Sequence, residues 1–482
     1  SKGGGGSSKK GKYDNNKKGN PSPTSFTTIW SSFLSPMVIL MVTSLGLTVG
    51  DLPSLDLRPI GGRIRDYIDN WKIVCSNKWV LSVVKDGYKI PVKTIPSQHK
   101  APPNPPASGS ALDILIKEAE DLKLKGAVTP VHSCEGQFIS TYFAVPKPRK
   151  VDAWRPILNL KHFNLHVTKY KFAMETLSKV REWIQPGAFC VSLDIKDAFL
   201  HIPMHRDSKK FLRFKWLGQI LEWQVLVFGL TCSPRVITKV IKPIIAFLRH
   251  SWKILISIYI DDILIQNTSV TKCNLHTQLV ITLFMCLGWS FKWEKCALVP
   301  SQQFTHLGFE FDTRDMIISV PADKIAKIQE MCTNVLNHGH ASVLTLEKLI
   351  GTMESLKPAT PLATLNFRSL QSQLLNAKSG FRNPDQLVTL SQESQMDLRW
   401  WTSADGFAAN SSGPIREQEP TLQIYSDANL SGGGSHNSRG EFQQRKWTRE
   451  ELKSNPNPHI NFLEIRAAKE SLSLARPGNW VR

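Results

Sequence analysis

Apolar and polar positions along the chain follow two rhythms, and the switches between them mark its elements. Phe33 to Val49 is mostly apolar, but Ser35, Pro36, Thr43, Ser44 and Gly46 interrupt it. It lies near the lower length limit for a bilayer span, and a membrane span is not expected. From Ile60 the pattern turns helical, through Gly61-Gly62-Arg63 to about Trp71. Trp79 to Val84 and Tyr88 to Pro91 then read as short strands around Asp86-Gly87. Residues 101–110 (Ala-Pro-Pro-Asn-Pro-Pro-Ala-Ser-Gly-Ser) have the composition of a polyproline-type linker. Leu112, Ile114, Leu115, Ile116, Ala119, Leu122 and Leu124 include a helical apolar stripe, which Gly126 stops.

Strand-like runs follow. Phe138 to Val145 alternate, and Ile157 to Leu160 return beyond a basic turn. Phe189 to Leu193 form a buried run that ends in Asp194. The loop from Leu226 enters a helix at Ser233-Pro234, with Val236, Val240, Ile241, Ile244, Ile245 and Leu248 on its apolar face. Two aliphatic runs, Ser257 to Ile260 and Ile263 to Ile265, flank Asp261-Asp262 as a hairpin. A helix is expected over roughly 272–287, a strand over Trp289–Trp293 and a last hairpin around Phe304–Phe311. Residues 322–402 then read as an all-helical module, with helices near 345–356, 366–376 and 390–402. A further α/β unit opens with a strand over Thr421–Ser426 that delivers Asp427, and a helix over Ile460–Leu474 carries Glu464.

Composition changes this picture in two ways. Sixty Lys and Arg against forty Asp and Glu give a formal net charge of +20, which favours a polyanionic partner, most simply nucleic acid. Residues 1–24, rich in Gly, Ser, Lys and Asn, read as a disordered basic arm, but their lysines account for only part of the excess. The eight cysteines form no CxxC pair, which argues against a zinc site or a disulfide framework. They suit a reducing, intracellular setting, cytoplasm or nucleus, rather than secretion. The first residue is Ser, so a piece of a longer chain is expected.

The candidate chemistry centres on Asp261-Asp262. Two ionised carboxylates about 4 Å apart repel by roughly 4 kcal/mol at an effective dielectric near 20. A divalent cation would offset that; a plain surface turn remains the alternative, since Asp is common in turns. Asp194 ends a second buried strand and could complete a shared metal site of the kind two-metal phosphoryl and nucleotidyl transfer requires. Lys147 and Arg155 sit on adjacent strands of the basic hairpin, where two cations suit a triphosphate, or simply a solvated turn. Gly229 would admit a ligand or template close to the backbone. Asp197 reads as a turn or capping residue. His201 and His205 lie on a strand-like stretch, which separates them and argues against a metal pair.

The order is basic hairpin, Asp-bearing strand, Gly-loop helix, Asp-Asp hairpin, Lys-bearing loop and Leu-Gly hairpin. Over roughly residues 111–315 it resembles the fingers and palm of retroelement reverse transcriptases. The flanks are similar to the DIRS-like retrotransposons, which carry a tyrosine recombinase. They do so through Gly61-Gly62-Arg63 with Asn70-Trp71, Trp79-Val80-Leu81, Gly87-Tyr88-Lys89-Ile90-Pro91, Ser233-Pro234-Arg235-Val236 and Arg399-Trp400-Trp401. The resemblance implies an α+β multidomain right-hand polymerase, with fingers, palm and thumb, followed by a partial ribonuclease H-like α/β unit. The boundaries expected are an arm and apolar segment over 1–59, an extension and linker over 60–110, fingers and palm over 111–315, a thumb or connection over 316–405 and the partial unit over 420–482.

It also implies roles. Asp194, Asp261 and Asp262 would hold two Mg²⁺ ions, and Lys147 and Arg155 would contact the triphosphate of a deoxynucleoside triphosphate. Phe199 would gate the sugar against a 2′-hydroxyl, Phe228 and Gly229 would line the loop beside template and nucleotide, and Tyr259 would lie near the primer end. Lys295 would serve as general acid near the leaving group, and Leu307 and Gly308 would grip the primer. The partners implied are an RNA or DNA template with its primer. In the last unit Asp427 and Glu464 match the first two of four ribonuclease H carboxylates, Gly433 stands where relatives usually show Trp, and no ribonuclease H activity is expected. The alternative to a polymerase is a catalytically inactive, transposon-derived nucleic-acid-binding protein. The retention of all five polar residues of the polymerase pattern favours the enzyme.

Overall fold

Strand order in two antiparallel-rich sheets sets the architecture. The computed structural model describes residues 35–49, 58–147, 153–380, 383–416, 421–448 and 460–475; the basic arm over 1–24 lies outside these. The strands in chain order are β1 (Val128–Val131), β2 (Ile139–Pro146), β3 (Trp154–Asn159), β4 (Phe189–Asp194), β5 (Arg213–Trp216), β6 (Gln219–Trp223), β7 (Leu255–Tyr259), β8 (Asp262–Asn267) and β9 (Ala297–Ser301). The first sheet has the order β1-β6-β5-β2-β3, and the second β7-β8-β4-β9.

In the first sheet the helix Gly109–Leu124 covers β2 and β3 through buried Leu115, Ala119 and Leu122. Gly126 stops that helix with a left-handed φ of 67°, as its sequence predicted. The proline-rich stretch before it is pinned rather than free. Asn104 accepts a hydrogen bond from the Tyr142 N–H at 2.8 Å and donates to the Lys215 carbonyl at 2.7 Å.

The second sheet is the one that matters for chemistry. Ile256, Ile263, Ile265, Val191 and Leu193 are all but fully buried. The helices Ser233–Ser251 and Val270–Cys286 pack against its strands. Each such aliphatic side chain contributes about 1.5–3 kcal/mol when removed from water, which fixes the register of the ladder. The apolar segment near residue 40 joins this core: its helix is only Pro36–Thr43, packs on the helix Val270–Cys286 and buries Val38 and Val42. Among the described residues no helix is long and apolar enough to cross a membrane.

Downstream lie β10 (Gln303–His306), β11 (Phe309–Asp312), β12 (Ile317–Ser319), β13 (His340–Ser342), β14 (Leu387–Thr389) and β15 (Ser412–Pro414). The sheet β10-β11-β12-β15 shares a second core with the helices Ala322–His338, Val343–Leu356, Arg368–Gly380 and Gln392–Thr402. A third, small core holds β16 (Ile424–Ala428), β17 (Gly432–Asn437) and β18 (Phe442–Lys446) against the helix Ile460–Ser471.

Four sequence expectations are corrected. Trp79–Val84 is not a strand but part of the helix Lys78–Asp86; the Asn77 side chain caps it by accepting from the Val80 N–H, and Val80, Val83 and Val84 are buried at helical spacing. Tyr88–Pro91 makes only isolated bridges, Tyr88 with Met204 and neighbouring Val92 with Val167. Trp289–Trp293 has a single bridge, Phe291 with Ile195, and then winds into a 3₁₀ turn at Trp293–Lys295. The module over 322–402 is not all helical, because β13 and β14 pair within it. In the first three cases apolar runs too short to show a period were assigned by composition, and tertiary packing decided otherwise.

Candidate active site

The Asp-Asp stretch is a two-residue hairpin. Tyr259 of β7 stands opposite Asp262 of β8, which leaves Ile260 and Asp261 as the turn. Ile260 has φ of +59°, a strained conformation for a β-branched side chain. A positive φ at the first turn residue and not the second matches a type II′ turn. The same ladder sets Asp262 opposite Asp194 of β4, and the Ile195 N–H donates to the Asp261 carbonyl at 3.0 Å. Asp194, distant in sequence, therefore shares one sheet end with Asp261 and Asp262.

Electrostatics follow from this crowding. Burial, then repulsion from Asp261 and Asp194, pushes the Asp262 carboxyl up to about 6, with Lys295 opposing. Asp261 is raised as well, first by burial and further by Asp194, against a bond to its own backbone and the Lys295 charge. Lys295 reaches Asp194 Oδ2 with Nζ at 3.3 Å, and that carboxylate holds the ammonium above its ordinary range. Asp194 is buried, and its N–H points at the Cys296 sulfur at 3.4 Å.

Among the described residues no three His, Cys, Asp or Glu side chains gather tightly enough to enclose a metal ion. The arrangement is an open set of hard carboxylate oxygens. That suits Mg²⁺, which keeps waters and substrate phosphates in its shell and uses one or two carboxylates rather than a protein cage. Positive charge at that sheet end would relieve the repulsion among the three acids.

Phe199 is buried and meets the largely exposed Phe228 edge to face, with ring centroids 4.5 Å apart. Gly229, with φ of +84°, continues that loop. Its conformation is held by a residue the sequence did not point to: Asn164 donates to the Gly229 carbonyl at 2.8 Å and accepts from the Thr231 N–H at 2.9 Å. Asp197 is a left-handed turn residue (φ 44°) paired with Lys125 Nζ at 2.9 Å. A second unforeseen pair braces β7. Glu175 takes the Ile258 N–H at 3.1 Å and the Arg249 guanidinium at 2.6 Å, and Arg249 also donates to the Ile256 carbonyl at 3.0 Å. Their roles come from tertiary hydrogen bonds to main chain distant in sequence, which one sequence does not show.

Lys147 and Arg155 belong to the other sheet. Arg155 lies opposite Val145 across β2 and β3, and the Lys147 N–H donates to the Ala153 carbonyl at 2.6 Å. Both side chains are exposed. The charge of Lys147 is felt by Glu118, whose carboxyl is raised mainly by burial, with Lys125 and Lys147 opposing. Leu307 and Gly308, with φ of 48° and 79°, form the tight turn between β10 and β11. Lys324 Nζ donates to the Gly308 carbonyl at 2.7 Å and lies 5.2 Å from the centroid of the Phe309 ring.

In the terminal unit Asp427 lies on β16 and Glu464 on the helix that packs against β16; both are exposed. Gly433 has a structural reason. A Cβ there would come within 2.9 Å of the Trp447 ring, so an indole from beyond β18 occupies the space a large residue on β17 would need. The stretch read as a strand is not one: His201 is buried at the end of the 3₁₀ turn Ala198–His201, and His205 Nδ1 accepts the Asp207 N–H at 3.3 Å.

Residues 145–311 match the family model described as reverse transcriptase (RNA-dependent DNA polymerase). The chain is 29% identical over 226 residues to the Gag-Pro-Pol polyprotein of Mason-Pfizer monkey virus, covering 45% of this chain and 12% of that one. It is 30% identical over 224 residues to the Gag-Pro-Pol polyprotein of simian retrovirus SRV-1, covering 44% and 11%. The chain thus spans only about a tenth of the length of these relatives. Among solved structures, the foamy viral protease-reverse transcriptase in complex with double-stranded DNA aligns with TM-score 0.56 at 17% identity, over 86% of this chain and 72% of that one. The same type of protein with an RNA/DNA hybrid aligns with TM-score 0.52 at 17% identity, over 85% and 52%. The overall fold is therefore that of these polymerases.

Proposed function

We propose that the chain is an RNA-directed DNA polymerase of a retroelement, adding deoxynucleotides to a primer 3′-hydroxyl. The observation that carries this is the placement of Asp194, Asp261 and Asp262 at one end of a four-stranded antiparallel sheet, within the segment that matches the reverse transcriptase model. Asp194, Asp261 and Asp262 would hold divalent metal, most simply two Mg²⁺ ions. The metal supplies charge neutralisation to the attacking and leaving oxygens of an in-line displacement.

The chain's own residues do the rest. The β7–β8 turn holds two carboxylates at fixed height by burying the strands behind them. Lys295, held charged by Asp194, would give a proton to a leaving oxygen. Phe199, wedged under Phe228, walls the sugar side, and the Asn164-braced loop at Phe228-Gly229 presents backbone to a base pair. Tyr259 would lie by the primer end, and the Leu307-Gly308 turn, tied to Lys324, would steady the primer strand. Lys147 and Arg155 would close on the triphosphate.

The proposed domains are fingers and palm over 111–315, a thumb or connection over 316–405 and a partial ribonuclease H-like unit over 420–482, preceded by an extension over 60–110 whose Ile64, Trp71 and Val84 share the first core with the palm. The finer assignment, to the DIRS-like retrotransposons, is supported by the flank motifs alone.

The test is primer extension by the whole chain on an RNA template with Mg²⁺ and deoxynucleotides. Extension is expected, with a loss of at least about a thousandfold in Asp261→Asn. Equal extension by both, or binding to primer–template without extension, refutes the site; the latter outcome returns the inactive nucleic-acid binder.

A further inference from the structure

Gly61-Gly62-Arg63 and Asn70-Trp71 stand out in the sequence, yet none of them is a site residue. The structure gives each a partner at the back of the polymerase sheet. The Gly61 N–H donates to the Lys125 carbonyl at 2.8 Å, and a Cβ on Gly61 would lie 2.4 Å from the Gly126 carbonyl oxygen, so only glycine fits. Gly62 is left-handed (φ 70°) and donates to the Leu200 carbonyl at 2.8 Å. These two residues deliver Arg63 into the interior, where it is 3% exposed.

The side chains that follow hold one short turn. Asn70 donates to the Cys286 carbonyl at 2.7 Å, Trp71 Nε1 to the Leu287 carbonyl at 3.0 Å, and Arg63 Nε to the Gly288 carbonyl at 3.0 Å. Arg63 Nη2 also donates to Ser290 Oγ and approaches His201 Nε2 at 3.4 Å. That nitrogen accepts the Ser290 N–H at 3.2 Å. Burying a guanidinium is costly unless its planar fork is well occupied, and here the fork is spent on main chain and Ser290. Gly288 is fitted to the same contact: φ is +89°, and a Cβ would fall 2.7 Å from the Tyr67 ring.

The held turn is directly coupled to the site. The Ser290 carbonyl accepts the Lys196 N–H at 2.9 Å, Phe291 bridges Ile195, and the Lys292 N–H donates to the Asp194 carbonyl at 2.8 Å. The Lys295 N–H then donates to the Lys292 carbonyl at 2.8 Å, which sets the ammonium 3.3 Å from Asp194. Because no regular strand runs through 289–293, these few bonds are what align that segment with β4.

We propose that residues 60–71 form a clamp whose positioning residue, Arg63, sets the 286–290 turn and through it the geometry of Asp194 and Lys295. The role assigned rests on the polymerase reading. The clamp acts through main-chain geometry and touches no substrate.

The experiment compares the full chain with Arg63→Lys and with Trp71→Phe, which removes a single N–H donor. Amide hydrogen exchange is followed at Lys196 and Lys292, alongside single-nucleotide incorporation and primer–template affinity. At least tenfold faster exchange at those two amides is expected. Amides of the helix Ala322–His338, in the other core, should be unchanged. A fall of at least tenfold in kcat should accompany this, with unchanged primer–template affinity, and the Lys variant should keep more activity than Arg63→Met. Unchanged exchange at Lys196 and Lys292, or acceleration spread equally to the 322–338 helix, overturns the clamp. If Arg63→Lys does not fold, Trp71→Phe decides with the same readouts. If the parent chain extends no primer, the polymerase reading fails, and the exchange comparison still decides the clamp.

Discussion

Replacing Asp262 by Asn should make the metal-free protein more stable while destroying its chemistry. Asp262 is half-buried, faces Asp194 across the ladder and follows Asp261 directly. Its carboxyl is pushed to about 6, from an ordinary value of 3.8, by burial first and by the two neighbouring acids next. That gap corresponds to about 3 kcal/mol, which solvent screening of a half-exposed group reduces to about 1–2 kcal/mol. The sign is fixed by linkage. Well below pH 3.8 the carboxyl is protonated in folded and unfolded chains alike, and wild type and Asp262→Asn should match. As pH rises the unfolded chain ionises first, so wild type loses stability until the folded carboxyl ionises near pH 6; above that the deficit is complete. Calorimetry in chelator should then show Asp262→Asn melting about 3–6 °C higher than wild type at pH 7.5 and within a degree or so of it at pH 4. Added Mg²⁺ should raise the wild-type melt and leave the variant nearly unmoved. A variant no more stable than wild type at pH 7.5, or a gap that is the same at both pH values, would refute the charge-crowding argument.

Two further outcomes are expected. Phe199→Ala should lower the ratio of deoxynucleotide to ribonucleotide kcat/KM at least tenfold, at a stability cost of about 3–5 kcal/mol for emptying a buried ring site; an unchanged ratio in folded protein refutes the gate. The 482-residue chain should not cut the RNA strand of a labelled hybrid in Mg²⁺, because Asp427 and Glu464 are two acids where the reaction is expected to need four; cleavage lost in Asp427→Asn would overturn this.

Much of the candidate site was legible because its parts are local. A buried aliphatic run that ends in Asp can be recognised without a fold, and so can an Asp pair between two such runs or a Leu-Gly turn before a β-rich stretch. What the pattern missed has a common cause. Trp79–Val84 and Trp289–Trp293 are short apolar stretches whose composition suits a strand, and only the Asn77 cap and the fit of residues 289–293 against β4 decided otherwise. Asn164 and Glu175 are ordinary polar residues in sequence; hydrogen bonds to main-chain groups far away in the chain give them their roles.

The sequence by itself determined the strands that carry Asp194, Asp261 and Asp262, the helices flanking them, and the basic character of the chain. These depend on side-chain period and on the identity of single residues. Tertiary structure alone decided that Asp194 faces Asp262 and that Lys295 reaches Asp194. It also decided that the apolar stretch at Pro36–Thr43 lies on a helix of the core, and that Gly61-Gly62-Arg63 reaches the turn behind the site. These are contacts between positions far apart in the chain. They form because burying the aliphatic faces of β4, β7 and β8 fixes one register, and charge repulsion and hydrogen bonding then act within the geometry that packing has imposed.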